Sequence, residues 1–192
     1  MMDRAFCPAC GVVVEPVSMT VGDGVESEEV TRCPTCGFVF PGGEGAPVEA
    51  PLYARVAVAD DMEHVRKAVA RALLAQRLAG TVDEFADGGG FIAAVRRLSA
   101  TGDAYQLAIL DLHMPIIDGL KAALALRQLE RQLGWSPTPI LFFSAIVCDE
   151  RLRGHLAALG PGFYLNKGVV AVERDLGERL RDVLAHLARR GG

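Results

Sequence analysis

The sequence predicts an α/β protein in which a parallel sheet is covered by helices on both faces. Two observations predict this class. Between residues 53 and 190, short apolar runs of strand length alternate with stretches of helical periodicity, and the alternation occurs five times. Polar residues follow several of these runs, where a parallel sheet would present the carboxyl ends of its strands.

Five strands and five helices are predicted in alternation. The predicted strands are RVAVAD (55–60), TVDEFA (81–86), QLAIL (106–110), PILFFS (139–144) and GFYLN (162–166). Helices are predicted at 62–78, 119–133 and 149–159. The helix after the second strand carries Phe91, Ile92, Val95 and Leu98. The last helix has one apolar face, which consists of Leu176, Leu180, Val183, Leu184 and Leu187.

The composition excludes several classes of protein. The chain has 192 residues, of which 51% are hydrophobic and 23% charged, so a packed globular protein is expected. A net charge of −4 provides no overall attraction for nucleic acid or anionic lipid. Because no apolar stretch reaches the length of a membrane span and the N-terminus lacks the apolar core of a signal peptide, we expect a cytoplasmic protein without membrane contact.

A segment rich in proline and glycine divides the chain. The stretch PGGEGAPVEAP predicts a flexible linker at residues 41–52. It separates a small cysteine-bearing unit, residues 1–40, from a larger domain, residues 53–190. The small unit contains short valine-rich pieces around a GDG turn signal, which favours a β-hairpin.

Two Cys-x-x-Cys pairs indicate a metal site in the small unit. Cys7 and Cys10 form one pair and Cys33 and Cys36 the other, and four thiolates complete a tetrahedral shell for Zn²⁺. Residues 1–40 resemble a zinc ribbon, which either only stabilises a unit too small to fold alone or also docks to a protein. The docking role is preferred, because six acidic residues against two arginines disfavour binding to nucleic acid. A thioredoxin-like redox role is disfavoured because neither pair lies in a βαβ pattern.

Polar residues at the strand ends indicate a second site. Asp60 and Asp61 close the first predicted strand, Asp111 closes the third, Ser144 the fourth, and Lys167 follows the fifth. Converging carboxylates repel unless protons or a cation neutralise them, and Mg²⁺ is a hard cation suited to such oxygens. One carboxylate beside the metal can attack phosphorus and form an acyl phosphate, with lysine and hydroxyl groups binding the phosphoryl oxygens.

The stretches VAVADDMEHVRKAVARALL, LAILDLHMPIIDGL, PILFFSA and FYLNKG resemble the receiver domain of response regulators in two-component signalling, across residues 53–190. The resemblance implies a flavodoxin-like or CheY-like doubly wound fold with strand order 2-1-3-4-5. It further implies that Asp111 is the phosphoacceptor and that Asp60, Asp61 and Asp111 bind Mg²⁺ together with the backbone carbonyl of His113. Ser144 and Lys167 would contact the phosphoryl group, and Tyr164 would be the switch aromatic.

Some positions depart from the pattern of the family. Gly168 stands where the family usually has proline after its lysine, and Ser144 replaces the commoner threonine. His113 lies where a side chain often tunes the hydrolysis of the acyl phosphate. Asp118 is interpreted as a turn residue, and Cys148 as a small half-buried hydrophobe.

The resemblance implies a response regulator that a histidine kinase or phosphotransfer protein phosphorylates on Asp111. The last predicted helix ends near the end of the sequence, so we expect no C-terminal effector domain, no enzymatic activity and signalling through protein contacts. One alternative is a degenerate receiver that only acts as a scaffold, and a less favoured one is a zinc-ribbon regulator that binds nucleic acid. A haloacid-dehalogenase-like phosphatase is also disfavoured, because that family requires Asp-x-Asp at its nucleophile, whereas Asp111 is followed by Leu112 and His113.

Overall fold

The chain forms two short hairpin-like sheets followed by a larger α/β unit. A computed structural model describes residues 5–6, 13–21, 28–35, 37–40, 51–168 and 173–190. The first strands are β1 (Ala5–Phe6), β2 (Val13–Val14), β3 (Val17–Val21) and β4 (Glu28–Arg32). β1 pairs with β2 and β3 pairs with β4, both antiparallel.

The larger unit contains five strands and five helices in alternation. The strands are β5 (Tyr53–Ala59), β6 (Ala79–Phe85), β7 (Leu107–Leu110), β8 (Ile140–Ser144) and β9 (Gly162–Asn166). The helices are α1 (Glu63–Ala75), α2 (Gly88–Ser99), α3 (Gly119–Leu133), α4 (Glu150–Ala157) and α5 (Glu173–Arg190).

All five strands of the larger unit are parallel, in the order β6-β5-β7-β8-β9. When the five strands of this unit are numbered 1 to 5 along the chain, the order is 2-1-3-4-5. The labels β5 to β9 are higher by four because four short strands precede them. β5 and β7 lie side by side at the centre and pair in register from Val56 with Leu107 to Ala59 with Leu110. The predicted α/β class with a five-stranded parallel sheet is therefore correct.

Alternate residues of the strands face two separate apolar cores. Val56, Val58, Leu107 and Ile109 pack with α1 and α5 on one face. Ala57, Ala59, Ala108 and Leu110 pack with α2, α3 and α4 on the other face. Burial of both faces explains why the sequence of the central strands is almost continuously apolar.

Some boundaries differ from the predicted ones. The predicted helix 62–78 ends at Ala75, because Arg77 adopts a left-handed conformation with φ of 53° and the chain reverses into β6. Leu78 is buried outside the helix, where its amide donates to the carbonyl of Leu73 at 2.8 Å. Leu78 is therefore apolar because it is buried in the core after the helix, and its match to the helical spacing does not reflect membership of α1.

The described part of the cysteine-bearing unit contacts the larger one through the buried aromatic side chain of Phe38. Phe38 is fully buried, with ring centroids 6.1 Å from Phe163 of β9 and 5.9 Å from the ring of His186 of α5. Of the four cysteines predicted to bind zinc, Cys33 is described and buried, whereas Cys7, Cys10 and Cys36 lie outside the described residues. No helix within the described ranges is long and apolar enough to cross a membrane.

Candidate functional site

Three aspartates come together at the carboxyl edge of the parallel sheet. Asp60, Asp61 and Asp111 each offer a carboxylate oxygen, and these oxygens all lie within 4.8 Å of one another. The sheet ladder extends one residue past the central strands, since the amide of Asp60 donates to Phe85 at 3.0 Å and that of Asp111 donates to Ala59 at 2.9 Å. The central pairing of β5 and β7 therefore delivers both side chains to one point.

Lys167 bridges two of these carboxylates. Its Nζ lies 2.8 Å from Oδ2 of Asp60 and 2.8 Å from Oδ2 of Asp111, and its side chain is only 7% exposed. Its amide continues the pairing of β9 with β8 by donating to the carbonyl of Ser144 at 2.8 Å. The lysine predicted from the sequence therefore closes the site opposite the acids, as a buried counter-charge for them.

The two oxygens of Asp111 differ in their surroundings. Oδ2 accepts a hydrogen bond from Lys167, whereas Oδ1 is buried and has no hydrogen-bond partner among the described residues. A buried carboxylate oxygen without a partner costs free energy unless a ligand or a cation satisfies it. The carboxylate of Asp111 clusters with those of Asp60 and Asp61, so the donor set is all oxygen and fits a small hard cation such as Mg²⁺.

The loop after β5 is held in place by Asp60 itself and by a residue of α1. Burial raises the pKa of Asp60, and the hydrogen bond and charge of Lys167 offset only part of that increase. Oδ1 of Asp60 accepts from the amide of Met62 at 3.0 Å, and Arg66 donates to the carbonyl of Asp60 at 2.6 Å. Arg66 also pairs with Glu84 of β6 at 3.4 Å. Asp61 is exposed at the mouth of the site.

Ser144 and Tyr164 are both buried beside the site. Ser144 ends β8 and is 1% exposed, and Tyr164 of β9 is 7% exposed. The hydroxyl of Tyr164 donates to the carbonyl of Ser144 at 3.2 Å and contacts the carbonyl of Ile146. Burial raises the pKa of Tyr164 to about 12, so this hydroxyl keeps its proton at neutral pH. The predicted switch aromatic is thus tied to the loop between β8 and α4.

The loop after β7 brings the chain close to the carbonyl of Asp111. A Cβ added to Gly119 would lie 2.1 Å from that carbonyl oxygen, so only glycine fits there. Asp118 is the N-cap of α3, and its side chain accepts from the amide of Lys121 at 2.9 Å. His113 is exposed on this loop. The interpretation of Asp118 as a turn residue rather than a metal ligand agrees with this cap.

The sequence patterns singled out neither Arg66 nor Asn166. Arg66 lies on a helix face where a basic residue is usually solvated, and Asn166 reads as the last residue of an apolar strand. Yet the side chain of Asn166 donates to the carbonyl of Ile146 at 2.7 Å and accepts from the amide of Gly168 at 2.7 Å. Only its position directly before Lys167 could have drawn attention to it.

Comparisons with known proteins identify the family. The family model of the response regulator receiver domain matches residues 56–173. The chain is 30% identical over 113 residues, or 59% of its length, to the peroxide stress-activated histidine kinase mak3 of Schizosaccharomyces pombe. The match spans only 5% of that curated relative.

Solved structures share the fold. The signal receiver domain of NarL from Mycobacterium tuberculosis is 29% identical with a TM-score of 0.51, covering 69% of this chain and 96% of that one. The receiver domain of the histidine kinase CKI1 from Arabidopsis thaliana, complexed with Mg²⁺ and BeF₃⁻, is 23% identical with a TM-score of 0.51, covering 67% and 90%. The response regulator domain of Thermotoga maritima CheB is 18% identical with a TM-score of 0.55, covering 71% and 96%. With the family match extending from β5 to the start of α5, the chain belongs to the response regulator receiver domain family.

Proposed function

We propose that the chain is a phosphorylation-controlled signalling module in which Asp111 accepts a phosphoryl group from a histidine kinase or a phosphotransfer protein. The observation that carries this proposal is the asymmetry of the Asp111 carboxylate. Oδ2 accepts from Lys167, while the buried Oδ1 has no partner among the described residues. The carboxylate as a whole clusters with those of Asp60 and Asp61. One oxygen is thus held by a cation, and the other is available for transfer.

Asp60, Asp61 and Asp111 would hold Mg²⁺, with the backbone carbonyl of His113 as a further ligand. The clustered carboxylate oxygens support this assignment, as does the Mg²⁺ complex of the related CKI1 receiver domain. The ion would neutralise the negative charge that accumulates when a phosphoryl group approaches the aspartates.

In the transfer itself, a carboxylate oxygen of Asp111 forms a bond to phosphorus while the bond between phosphorus and the donor histidine nitrogen breaks. Lys167 pairs with a phosphoryl oxygen, and the hydroxyl of Ser144 donates to another. The module would be regulatory rather than metabolic, because the transfer leaves the phosphoryl group on its own Asp111. A histidine kinase as donor agrees with the similarity to mak3, although the match spans only 5% of that protein.

The output would be a change at the surface formed by α4, β9 and α5. Tyr164 links that surface to the site, because its hydroxyl reaches the carbonyl of Ser144. Movement of Ser144 toward a phosphoryl group would displace this carbonyl and, with it, the loop before α4. A downstream protein would read the changed surface, the cysteine-bearing unit or both.

Cys7, Cys10, Cys33 and Cys36 would hold Zn²⁺ in a ribbon that serves as a docking module. Support comes from the described residues around the second Cys-x-x-Cys pair. The amide of Gly37 donates to the carbonyl of Cys33 at 2.8 Å, and the amide of Cys33 donates to the carbonyl of Phe38 at 2.7 Å. These bonds form a tight turn with Cys33 buried. We expect metal analysis to find a single zinc ion per chain that is lost in Cys33→Ser, and native protein without zinc would contradict the ribbon.

The phosphoryl site is tested with fluoroberyllate, which mimics a phosphoryl group on a carboxylate. Wild-type protein should bind it in the presence of Mg²⁺, and Asp111→Asn should not. Asp118→Asn is the matched control, because Asp118 caps α3 and should leave binding unchanged. No binding by the wild type would favour a degenerate receiver that acts only as a scaffold.

A further inference from the structure

Gly168 gives the backbone directly after Lys167 little stiffness of its own. Gly168 follows the lysine with φ of 61°, and a glycine restrains the backbone less than any other residue. Nevertheless, the Nζ of Lys167 contacts Asp60 and Asp111 at 2.8 Å each. Contacts from other parts of the fold are therefore needed to fix the backbone from which this side chain extends.

Arg179 of α5 provides such a restraint. It is 7% exposed, and its guanidinium donates from Nη1 to the carbonyl of Lys167 at 3.3 Å and from Nη2 to the carbonyl of Asn166. Because the guanidinium is planar and its donors have a fixed spacing, two consecutive peptide units are held by one rigid group. The group also packs on Gly168, since a Cβ added there would lie 3.5 Å from Nη1.

A second restraint connects this backbone to the loop before α4. The amide of Gly168 donates to Oδ1 of Asn166 at 2.7 Å, and Nδ2 of Asn166 donates to the carbonyl of Ile146 at 2.7 Å. The amide of Lys167 is held by the carbonyl of Ser144. The lysine is thus fixed from α5 through Arg179 and from the loop before α4 through Asn166.

We propose that Arg179 is a positioning residue for the phosphoryl site, which holds the backbone of Lys167 so that its ammonium group meets the carboxylate of Asp111. This inference rests on the proposed function, because it assigns Arg179 a role in binding the phosphoryl group. It makes α5 part of the site through contacts with the carbonyls of Asn166 and Lys167. The rigid fork of Arg179 replaces the stiffness that a glycine at position 168 does not supply.

Arg127 is a matched control for the general effect of a buried arginine. It is 9% exposed and also donates to two backbone carbonyls, those of Thr138 at 2.7 Å and of Leu159. Thr138 precedes β8, so these contacts lie at the amino edge of the sheet, away from Asp111. Replacing either arginine removes hydrogen bonds of the same kind.

The experiment compares Arg179→Met, Arg179→Lys and Arg127→Lys with wild type in two measurements. The first is the dissociation constant of fluoroberyllate at saturating Mg²⁺. We expect Arg179→Met to weaken binding about tenfold, a usual loss when a residue supporting a bound group is removed. Arg179→Lys should fall between it and wild type, because lysine keeps the charge but not the fork. Arg127→Lys should bind as wild type does.

The second measurement is amide hydrogen exchange at Lys167 and Gly168, which does not require a working phosphoryl site. Exchange should accelerate in both Arg179 variants and not in Arg127→Lys. Unchanged exchange, wild-type affinity in a folded Arg179 variant or equal losses in Arg127→Lys would overturn the inference. Wild-type protein that fails to bind fluoroberyllate would instead overturn the proposed function, with the exchange data still deciding whether Arg179 holds the loop.

Discussion

At the scale of single residues, the main feature of the site is that its acidic side chains outnumber its basic ones. Lys167 is one buried cation beside three aspartates, and it reaches only Asp60 and Asp111. Burial raises the pKa of Asp60 despite this partner. The fold therefore retains an excess of negative charge that a bound cation would neutralise, as functional sites often do at some cost in stability.

Asp60→Asn should stabilise the metal-free protein at neutral pH. Because burial raises the pKa of Asp60, the folded chain binds this proton more tightly than the unfolded chain does. The contribution of Asp60 to stability is therefore greatest at low pH, and it is lost as the pH rises from the ordinary pKa of an aspartate to the raised one. The asparagine variant avoids this loss, so its thermal unfolding midpoint at pH 7 should exceed that of wild type.

Mg²⁺ should reverse the order of the two proteins. A ligand that binds only the folded state raises the free energy of unfolding, and Asp60→Asn lacks one of the proposed ligands. Added Mg²⁺ should therefore raise the midpoint of wild type and leave that of the variant nearly unchanged. A variant that is less stable than wild type without Mg²⁺ would contradict this account of Asp60.

Gly119→Ala should destabilise the loop beside the phosphoacceptor. The added Cβ would lie 2.1 Å from the carbonyl oxygen of Asp111, and backbone would have to move to make room. We expect a loss of about 1–3 kcal/mol in the free energy of unfolding, the usual cost of overpacking, measured by urea denaturation. Gly154→Ala in α4 is the control, because nothing lies within 4 Å of its added Cβ. It should stabilise by about 0.5–1 kcal/mol, and equal losses in both variants would be inconsistent with a specific clash.

At the scale of elements, the loop between β8 and α4 connects the site to the surface beyond it. Tyr164 and Asn166 are on β9, and both contact the carbonyl of Ile146 in that loop. Tyr164 also reaches the carbonyl of Ser144. A displacement of Ser144 would therefore be passed through these contacts to the loop that leads into α4.

Tyr164→Phe should loosen this loop while leaving the acids in place. Removing a hydroxyl that donates to a buried carbonyl costs about 1–3 kcal/mol when the carbonyl is left without that partner. Since the pKa of Tyr164 is raised to about 12, the loss should not vary with pH near neutrality. Amide exchange in residues 145–149 should accelerate, while Mg²⁺ affinity remains close to that of wild type. Unchanged exchange in these residues would show that the hydroxyl of Tyr164 does not hold the loop.

The apolar runs predicted the elements of the larger unit well, because strands buried on both faces leave a clear signal in the sequence. The ends of α1 and α4 were less predictable. Leu78 is buried after the chain has left α1, and Asp149 is the N-cap of α4 rather than its first residue. The role of Arg179 could not be predicted from the sequence either. Its contact with Lys167 exists only because α5 packs against the sheet, and no local sequence pattern indicates it.

At the scale of the whole molecule, the cysteine-bearing unit shares a core with the larger one. Phe38 packs on Phe163 and His186, and Val14 and Cys33 belong to the same buried cluster. Phe163 is on the same strand as Tyr164 and next to it in sequence. The unit that we propose as a docking module therefore contacts the strand that carries the proposed switch residue.

Phe38→Ala should separate the two units without damaging the phosphoryl site. Truncating a fully buried phenylalanine typically costs about 3–5 kcal/mol of packing, which should favour release of residues 33–40. Limited proteolysis within these residues should accelerate, while fluoroberyllate binding stays as in wild type. The control Val17→Ala removes a side chain that is 48% exposed and should change neither. Unaltered proteolysis in Phe38→Ala would show that this contact does not hold the units together.

The strand-end acids and the lysine were predictable from the sequence because parallel strands bring their carboxyl ends to one edge. The asymmetry of the Asp111 carboxylate was not, since it depends on which oxygen Lys167 reaches. That asymmetry is the basis of the proposed function.

The most direct test of the account is chemical phosphorylation of the intact chain. Incubation with acetyl phosphate and Mg²⁺ should transfer one phosphoryl group to a carboxylate oxygen, with acetate as the leaving group, and mass spectrometry should place the acyl phosphate on Asp111. Asp111→Asn should remain unmodified, whereas Asp118→Asn should be modified as wild type is. An unmodified wild-type chain, or a phosphoryl group that persists in Asp111→Asn, would contradict the assignment of Asp111 as the phosphoacceptor.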